Sequence, residues 1–435
     1  MTRNRSRLRR LGWFAVWLSA TVGVLWFKAL PISAPLENDE FYWVGSSYYF
    51  DLAFIQTDWT HPDWALLPAR ENPPVAKYVL GLGLLTNARH VSAPTLLSTF
   101  YAFFEDVPGA WGKGSDYAAR EQVALRMSPE LRAHIRAGNP VGLDPTLLIP
   151  ARRTALVCAA IASFLLFVLG FRWISPLAGV VSSQLLLFHP TVVAAYNHAM
   201  ADAVALMFTA ATAVAACGFL GIILAEPEPG RSPFWSASLT GVLAALACGS
   251  KMNSLVIVFT LGLAVGAVAI AGFRRDRQRG IRIALAGGWM GFLALAVFVL
   301  INPTIVRDIP GGLWATIHEH RLTEAVQAGF LPGHLVTLRD KFSAMTPLAL
   351  FSIPVLLLLT SFAAAMLAVP NCALRFIGCW FLVSLVCVTW WIPFAWGRYV
   401  LPIVLPATLV AGWAVSELVG VIQRRMGGLA PASAG

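Results

Sequence analysis

Charged residues are scarce in this chain: Asp, Glu, Lys and Arg make up 12% of its 435 residues, against 57% hydrophobic ones. So few charges cannot clothe a water-soluble chain of this length, which excludes a set of ordinary soluble domains. Cysteine is sparse as well. The six, Cys158, Cys217, Cys248, Cys372, Cys379 and Cys387, lie in apolar runs or beside short polar breaks, and none falls in the long polar stretch after the first run. That excludes a disulfide framework and a zinc-ligand pattern. Neither a short repeat nor a low-complexity tract is evident. What the chain has in excess is apolar length, with a mean hydropathy of +0.68. It reads as a polytopic, all-α membrane protein.

The first apolar run, Leu11 to Leu30, has about 20 residues, enough to cross a hydrocarbon core roughly 30 Å thick. It is longer than a signal-peptide core and lacks a small-residue cleavage site, so it reads as an uncleaved helix. Arg3, Arg5, Arg7, Arg9 and Arg10 precede it, and the positive-inside rule keeps them cytoplasmic. From Arg152 onward, further helices are expected near 153–171, 176–189, 199–224, 234–249, 253–272, 283–302, 348–369, 376–393 and 400–420, ten in all. An even number returns the C-terminus to the cytoplasm, where Arg424 and Arg425 belong.

The expected organisation is a cytoplasmic tail and first helix (1–30), a large external loop with amphipathic helices (31–150), helices two to seven (151–301), a second external loop (302–347), three last helices (348–422) and a cytoplasmic tail (423–435). The net charge of +10 comes largely from arginines at span flanks, in the N-terminal tail, at Arg274–Arg279 and at Arg424–Arg425. Topology and anionic lipid headgroups account for them, and no nucleic-acid partner is implied. The sixteen tryptophans, Trp13, Trp43, Trp390, Trp391 and Trp396 among them, gather near span ends as membrane-interface residues do.

Several residues depart from this pattern. Asp39 and Glu40 stand a few residues beyond the first span, on its far side from the arginines. Charges there often only meet water, but two adjacent carboxylates can also do acid–base work. Downstream, Glu71-Asn72-Pro73-Pro74-Val75-Ala76-Lys77-Tyr78 places a lysine after a rigid double proline, which sets where it points. Arg152-Arg153 opens the second span, Asp202 opens the fourth, Gly249-Ser250-Lys251 breaks a long apolar block, and Gly397-Arg398-Tyr399-Val400-Leu401-Pro402 opens the last.

In that order the segments resemble the polyprenyl-phosphate-sugar-dependent glycosyltransferases of the GT-C class. The protein O-mannosyltransferases and the lipid A aminoarabinose transferases are the most similar members. Two departures stand out: Asn72 replaces the histidine that mannosyltransferases often carry before the double proline, and the link from Thr86 to Pro150 is longer than usual. The resemblance implies a GT-C fold with the active site at the outer membrane face, facing the periplasm or an equivalent space of a bacterial inner membrane. It implies Asp39 as general base, with Glu40 orienting it or contacting sugar or acceptor. Lys77, Arg398 and Lys251 are then the cations for the donor phosphate. Asp202, Tyr399 and His61 are possible substrate contacts.

The donor implied is a polyprenyl-phosphate sugar held partly by membrane lipid. The acceptor is a hydroxyl or amine on protein, lipid or glycan, and inversion at the anomeric carbon is expected. No cofactor or metal is expected, since the mannosyltransferases need none and His318-Glu319-His320 has its imidazoles two apart, a poor ligand spacing. His189 and His198, like His61, are expected on the external side. Trp59 and Trp64 are expected to offer a sugar-stacking or membrane-resting surface. The rival readings are a transporter or lipid flippase, which calls for inverted repeats and paired charges at the midplane, and a glycosyltransferase-like subunit without activity.

Overall fold

The computed structural model describes residues 2–30, 33–35, 37–65, 67–91, 145–225, 232–330, 333–349 and 352–427. Residues 92–144 of the first expected loop therefore lie outside the described residues, as do the side chains of Glu319 and His320. The fold is all-helical; among the described residues the one β-bridge joins His334 and Phe394.

The helices that matter are α1 (Thr2–Lys28), α2 (Asn38–Ser46), α3 (Val75–Leu85), α4 (Pro145–Trp173), α5 (Pro176–Phe188), α6 (Pro190–Asn197), α7 (Ala201–Leu224), α8 (Pro233–Ser250), α9 (Leu255–Arg275), α10 (Arg277–Leu300), α11 (Ile309–Phe330), α12 (Leu338–Ala349), α13 (Ile353–Ala368), α14 (Cys372–Trp391) and α15 (Leu401–Gly427). Eight among the described residues are long and apolar enough to cross a membrane, or ten if the bent pairs α5–α6 and α12–α13 each make one span.

Local chemistry sets the breaks. Ser175, Ser232 and Asn371 cap helices by accepting backbone N–H bonds, and proline follows two of them at the first turn, where its missing N–H costs nothing. His189 is both the last word of α5 and the cap of α6, with Pro190 next, and the chain bends there by 66°. The helix expected over 176–189 is therefore half of a bent pair. The polar turn at Lys251 is also real: α8 stops at Ser250, Lys251 is extended, and a short 3₁₀ turn leads into α9. The stretch 302–347, expected as a loop, holds α11 and α12. Its charges hid them, because an amphipathic surface helix lacks the continuous apolar run of a span.

Lipid offers no hydrophobic drive between helices, so close backbone approach has to supply it. At Gly179 of α5, a Cβ would come within 2.6 Å of the Phe167 carbonyl of α4, and at Gly378 of α14 within 2.6 Å of the Ala363 carbonyl of α13. Two apolar cores result. The larger fills the bundle, while the smaller packs α2, the turns after it and α3 against the start of α4 and the segment Ala199–Val204. That second core seats the candidate site.

Candidate active site

Glu37 caps α2 in an extended conformation, and its own N–H donates to Glu40 Oε2 at 3.0 Å. The helix thus opens with Asp39 and Glu40 in its first turn, where the helix dipole favours acids. The two then diverge. Glu40 is wholly buried. Arg152 of α4 grips it through Nε to Oε1 at 2.7 Å and Nη2 to Oε2 at 2.6 Å, and the Ala199 N–H donates to Oε1 at 2.7 Å. Arg152 also donates to the carbonyls of Ala34 and Pro35, at 2.8 and 3.0 Å. Both Glu40 oxygens are therefore occupied from within the chain, and the residue fastens α2 to α4 and to the approach to α7.

Asp39 turns the other way and pairs with Arg398; each side chain is about a quarter exposed, at 24% and 25%. Arg398 sits in the 3₁₀ turn Gly397–Val400 just before α15. Its guanidinium lies 4.5 Å from the Trp396 ring centre and 5.8 Å from that of Tyr399. Those rings stack on each other at 5.6 Å, and Phe394 stacks on the far end at 4.7 Å. An acid from the first turns of the chain and an arginine from its last helix thus meet beside an aromatic wall.

A second ion pair comes from α7 and the break after α8: Lys251 Nζ donates to Asp202 Oδ1 at 2.6 Å. The pair borders a small cavity of about 20 Å³, lined also by Thr209, Ser254, Trp380, Leu405, Leu401 and Pro402. Leu401, on the wall of this cavity, follows Arg398 by three residues.

Lys77 lies elsewhere. It is fully buried; its Nζ donates to the carbonyls of Pro68 and, at 2.6 Å, Asn72, and it faces the Tyr49 ring at 5.6 Å. Burial pushes its pKa down to about 7, with the Glu71 charge opposing. Two acceptors suit the two N–H bonds of a neutral amine. Asn72 Nδ2 in turn donates to the Tyr42 hydroxyl at 3.2 Å, so Lys77 pins a strap, residues 68–74, onto the helix that carries Asp39.

His61 accepts from the Asp63 N–H at 3.2 Å and is partly exposed in the turn before Trp64. Trp64 is 2% exposed and packs on Tyr49 at 4.9 Å, so it offers no surface for a sugar or lipid, contrary to expectation. It is a core residue, with its indole N–H on the Asp58 carbonyl at 2.9 Å. Trp59 is tied to the Ala53 carbonyl at 3.1 Å. His189 is buried and bonded to the Ala349 carbonyl at 3.1 Å, and His198 reaches the Pro35 carbonyl at 3.2 Å. Among the described residues, no three His, Cys, Asp or Glu side chains gather as metal ligands would.

Sequence reasoning left Arg152, Tyr42 and Trp396 out of the site. The available signal was Arg152 itself, an arginine at the mouth of a span, where an unpaired charge is costly.

These features define an all-helical membrane protein with the fold of the GT-C glycosyltransferases, as the sequence resemblance implied. The family model described as dolichyl-phosphate-mannose-protein mannosyltransferase matches residues 151–308. Two structures of ArnT from Cupriavidus metallidurans are similar in fold. In the apo state the TM-score is 0.54 at 14% identity, over 94% of this chain and 60% of that one. Bound to undecaprenyl phosphate it is 0.55 at 15%, over 93% and 60%. The archaeal oligosaccharyltransferase AglB from Archaeoglobus fulgidus, in complex with an inhibitory peptide and a dolichol-phosphate, gives 0.49 at 11%, over 98% and 53%. The chain thus spans about 60% of the length of the ArnT structures it matches. No curated protein sequence matches it.

Proposed function

We propose that the chain is an integral membrane glycosyltransferase that moves a sugar from a polyprenyl-phosphate-linked donor to an acceptor hydroxyl or amine. The observation that carries this reading is the meeting of Asp39 with Arg398 at a partly exposed site, in a chain with the GT-C fold. Asp39 takes the acceptor's proton as its oxygen or nitrogen attacks the anomeric carbon. The bond from that carbon to the phosphate oxygen breaks, its electron pair leaves on the polyprenyl phosphate, and the configuration inverts. Arg398 meets the phosphate charge, as a planar guanidinium does best, and Lys251 supports it from the neighbouring cavity. Tyr399, Asp202 and His61 are secondary substrate contacts in this scheme, which uses no cofactor and no metal.

Two roles follow from burial. Glu40, saturated by Arg152 and Ala199, holds the helix of Asp39 in place and does not touch substrate. Lys77, wholly inside the strap, positions that strap, leaving the phosphate to Arg398 and Lys251. With both bent pairs counted as spans, the ten among the described residues put the termini on one side. The N-terminal arginines make that side cytoplasmic and the site extracytoplasmic, as in a bacterial inner membrane.

The test is transfer of radiolabelled sugar from a panel of polyprenyl-phosphate sugars by the protein reconstituted in liposomes, with Asp39→Asn beside wild type. Turnover lost in the variant supports the class and the base together. Turnover that survives Asp39→Asn removes Asp39 from the chemistry, and no turnover with any donor, alongside solute or lipid movement, replaces the reading with transport.

A further inference from the structure

The two side chains that this reading assigns to opposite tasks hold each other. A base must be free when the acceptor arrives, and a phosphate ligand must turn its N–H groups to the donor. Yet an Arg398 Nη contacts a carboxylate oxygen of Asp39. From this geometry we propose, resting on the glycosyltransferase reading above, that the Asp39–Arg398 pair is a latch opened by the donor's phosphate. The phosphate takes the guanidinium, Asp39 is released as the base, and donor binding therefore precedes activation of the acceptor.

The surroundings are built for such an exchange. Each partner is anchored without the other: Asp39 stands on a helix fastened one residue later by Glu40 and Arg152, and Arg398 lies against the faces of Trp396 and Tyr399. When the carboxylate leaves, the rings still hold the cation. Both charged groups are about a quarter exposed, so an incoming anion can reach the pair. A phosphate presents two oxygens to the guanidinium fork, as a carboxylate does, and so competes for the same N–H groups. The arrangement ties the base to the presence of donor, since Asp39 without a phosphate on Arg398 stays neutralised.

The test measures binding of undecaprenyl phosphate to the full-length protein in lipid nanodiscs, for wild type, Asp39→Asn, Arg398→Gln and the double variant. Matched unfolding midpoints serve as the control for folding. Competition for one group predicts that Asp39→Asn tightens binding about tenfold, an ordinary coupling between two ligands, and does so only while Arg398 is present. Arg398→Lys, which keeps a charge but not the fork, retains a smaller gain. An Asp39→Asn affinity equal to wild type overturns the latch, as does an equal gain with and without Arg398, which is plain repulsion at a distance. No binding by any of the variants or by wild type overturns the glycosyltransferase reading itself, and the latch with it.

Discussion

Replacing Arg152 with methionine should be among the most damaging single changes in the outer core. The substitution deletes two charge-assisted bonds to Glu40, at 2.7 and 2.6 Å, and two more to the carbonyls of Ala34 and Pro35. It leaves behind a carboxylate with no exposure, still served by the N–H groups of Ala199 and Glu37 but with no countercharge from Arg152. Breaking a buried pair from one side costs about 3–5 kcal/mol, because the stranded charge is desolvated without compensation. Glu40→Leu strands the guanidinium in the same way. The double variant Glu40→Leu/Arg152→Met leaves no buried charge at this point and should lose less than either single one. The assay is the unfolding midpoint in detergent micelles, or the half-life at fixed temperature where unfolding is irreversible. Single-variant losses below about 1 kcal/mol, the range of an exposed pair, or losses that simply add in the double variant, would refute the argument.

Other expectations follow from the same geometry. Lys77 titrates near 7 in the folded state, against an ordinary value of 10.5. Between those values the unfolded chain binds the extra proton, so stability rises with pH across that window, by at most about 1.4 kcal/mol per unit. Lys77→Met should flatten that rise in a series of unfolding midpoints from pH 7 to 10, and an unchanged slope would show that the lysine is charged in the fold. Adding side chains at Gly179→Val or Gly378→Val, where carbonyls stand 2.6 Å from the new Cβ, should cost about 1–3 kcal/mol with little effect on donor KM among molecules that fold; a stability matching wild type would show that the helices can move apart. Lys251→Met breaks the 2.6 Å pair with the buried Asp202 and should raise the donor KM, while Asp202→Asn with Lys251 kept should raise it less; equal effects would make the pair purely structural.

The membrane class and nearly all the spans were legible in the sequence. A span announces itself by apolar length alone, and Asp39, Arg398, Lys251 and Asp202 stood out because charge is rare in such a chain. The breaks at His189-Pro190 and Lys251 could be read from local capping and turn chemistry. The partners could not. Neither composition nor spacing says that Asp39 faces Arg398 while its neighbour Glu40 faces Arg152, because adjacent residues on a helix point about 100° apart and only packing decides what each direction meets. Trp64 misled for the same reason: a tryptophan in a polar stretch looks like a surface residue until the chain folds over it, as it also does over Lys77 of α3. The sequence by itself determined which charged groups stand apart from the apolar spans. The tertiary structure decided which were spent holding the fold together, because a buried polar group must find its partners inside the protein.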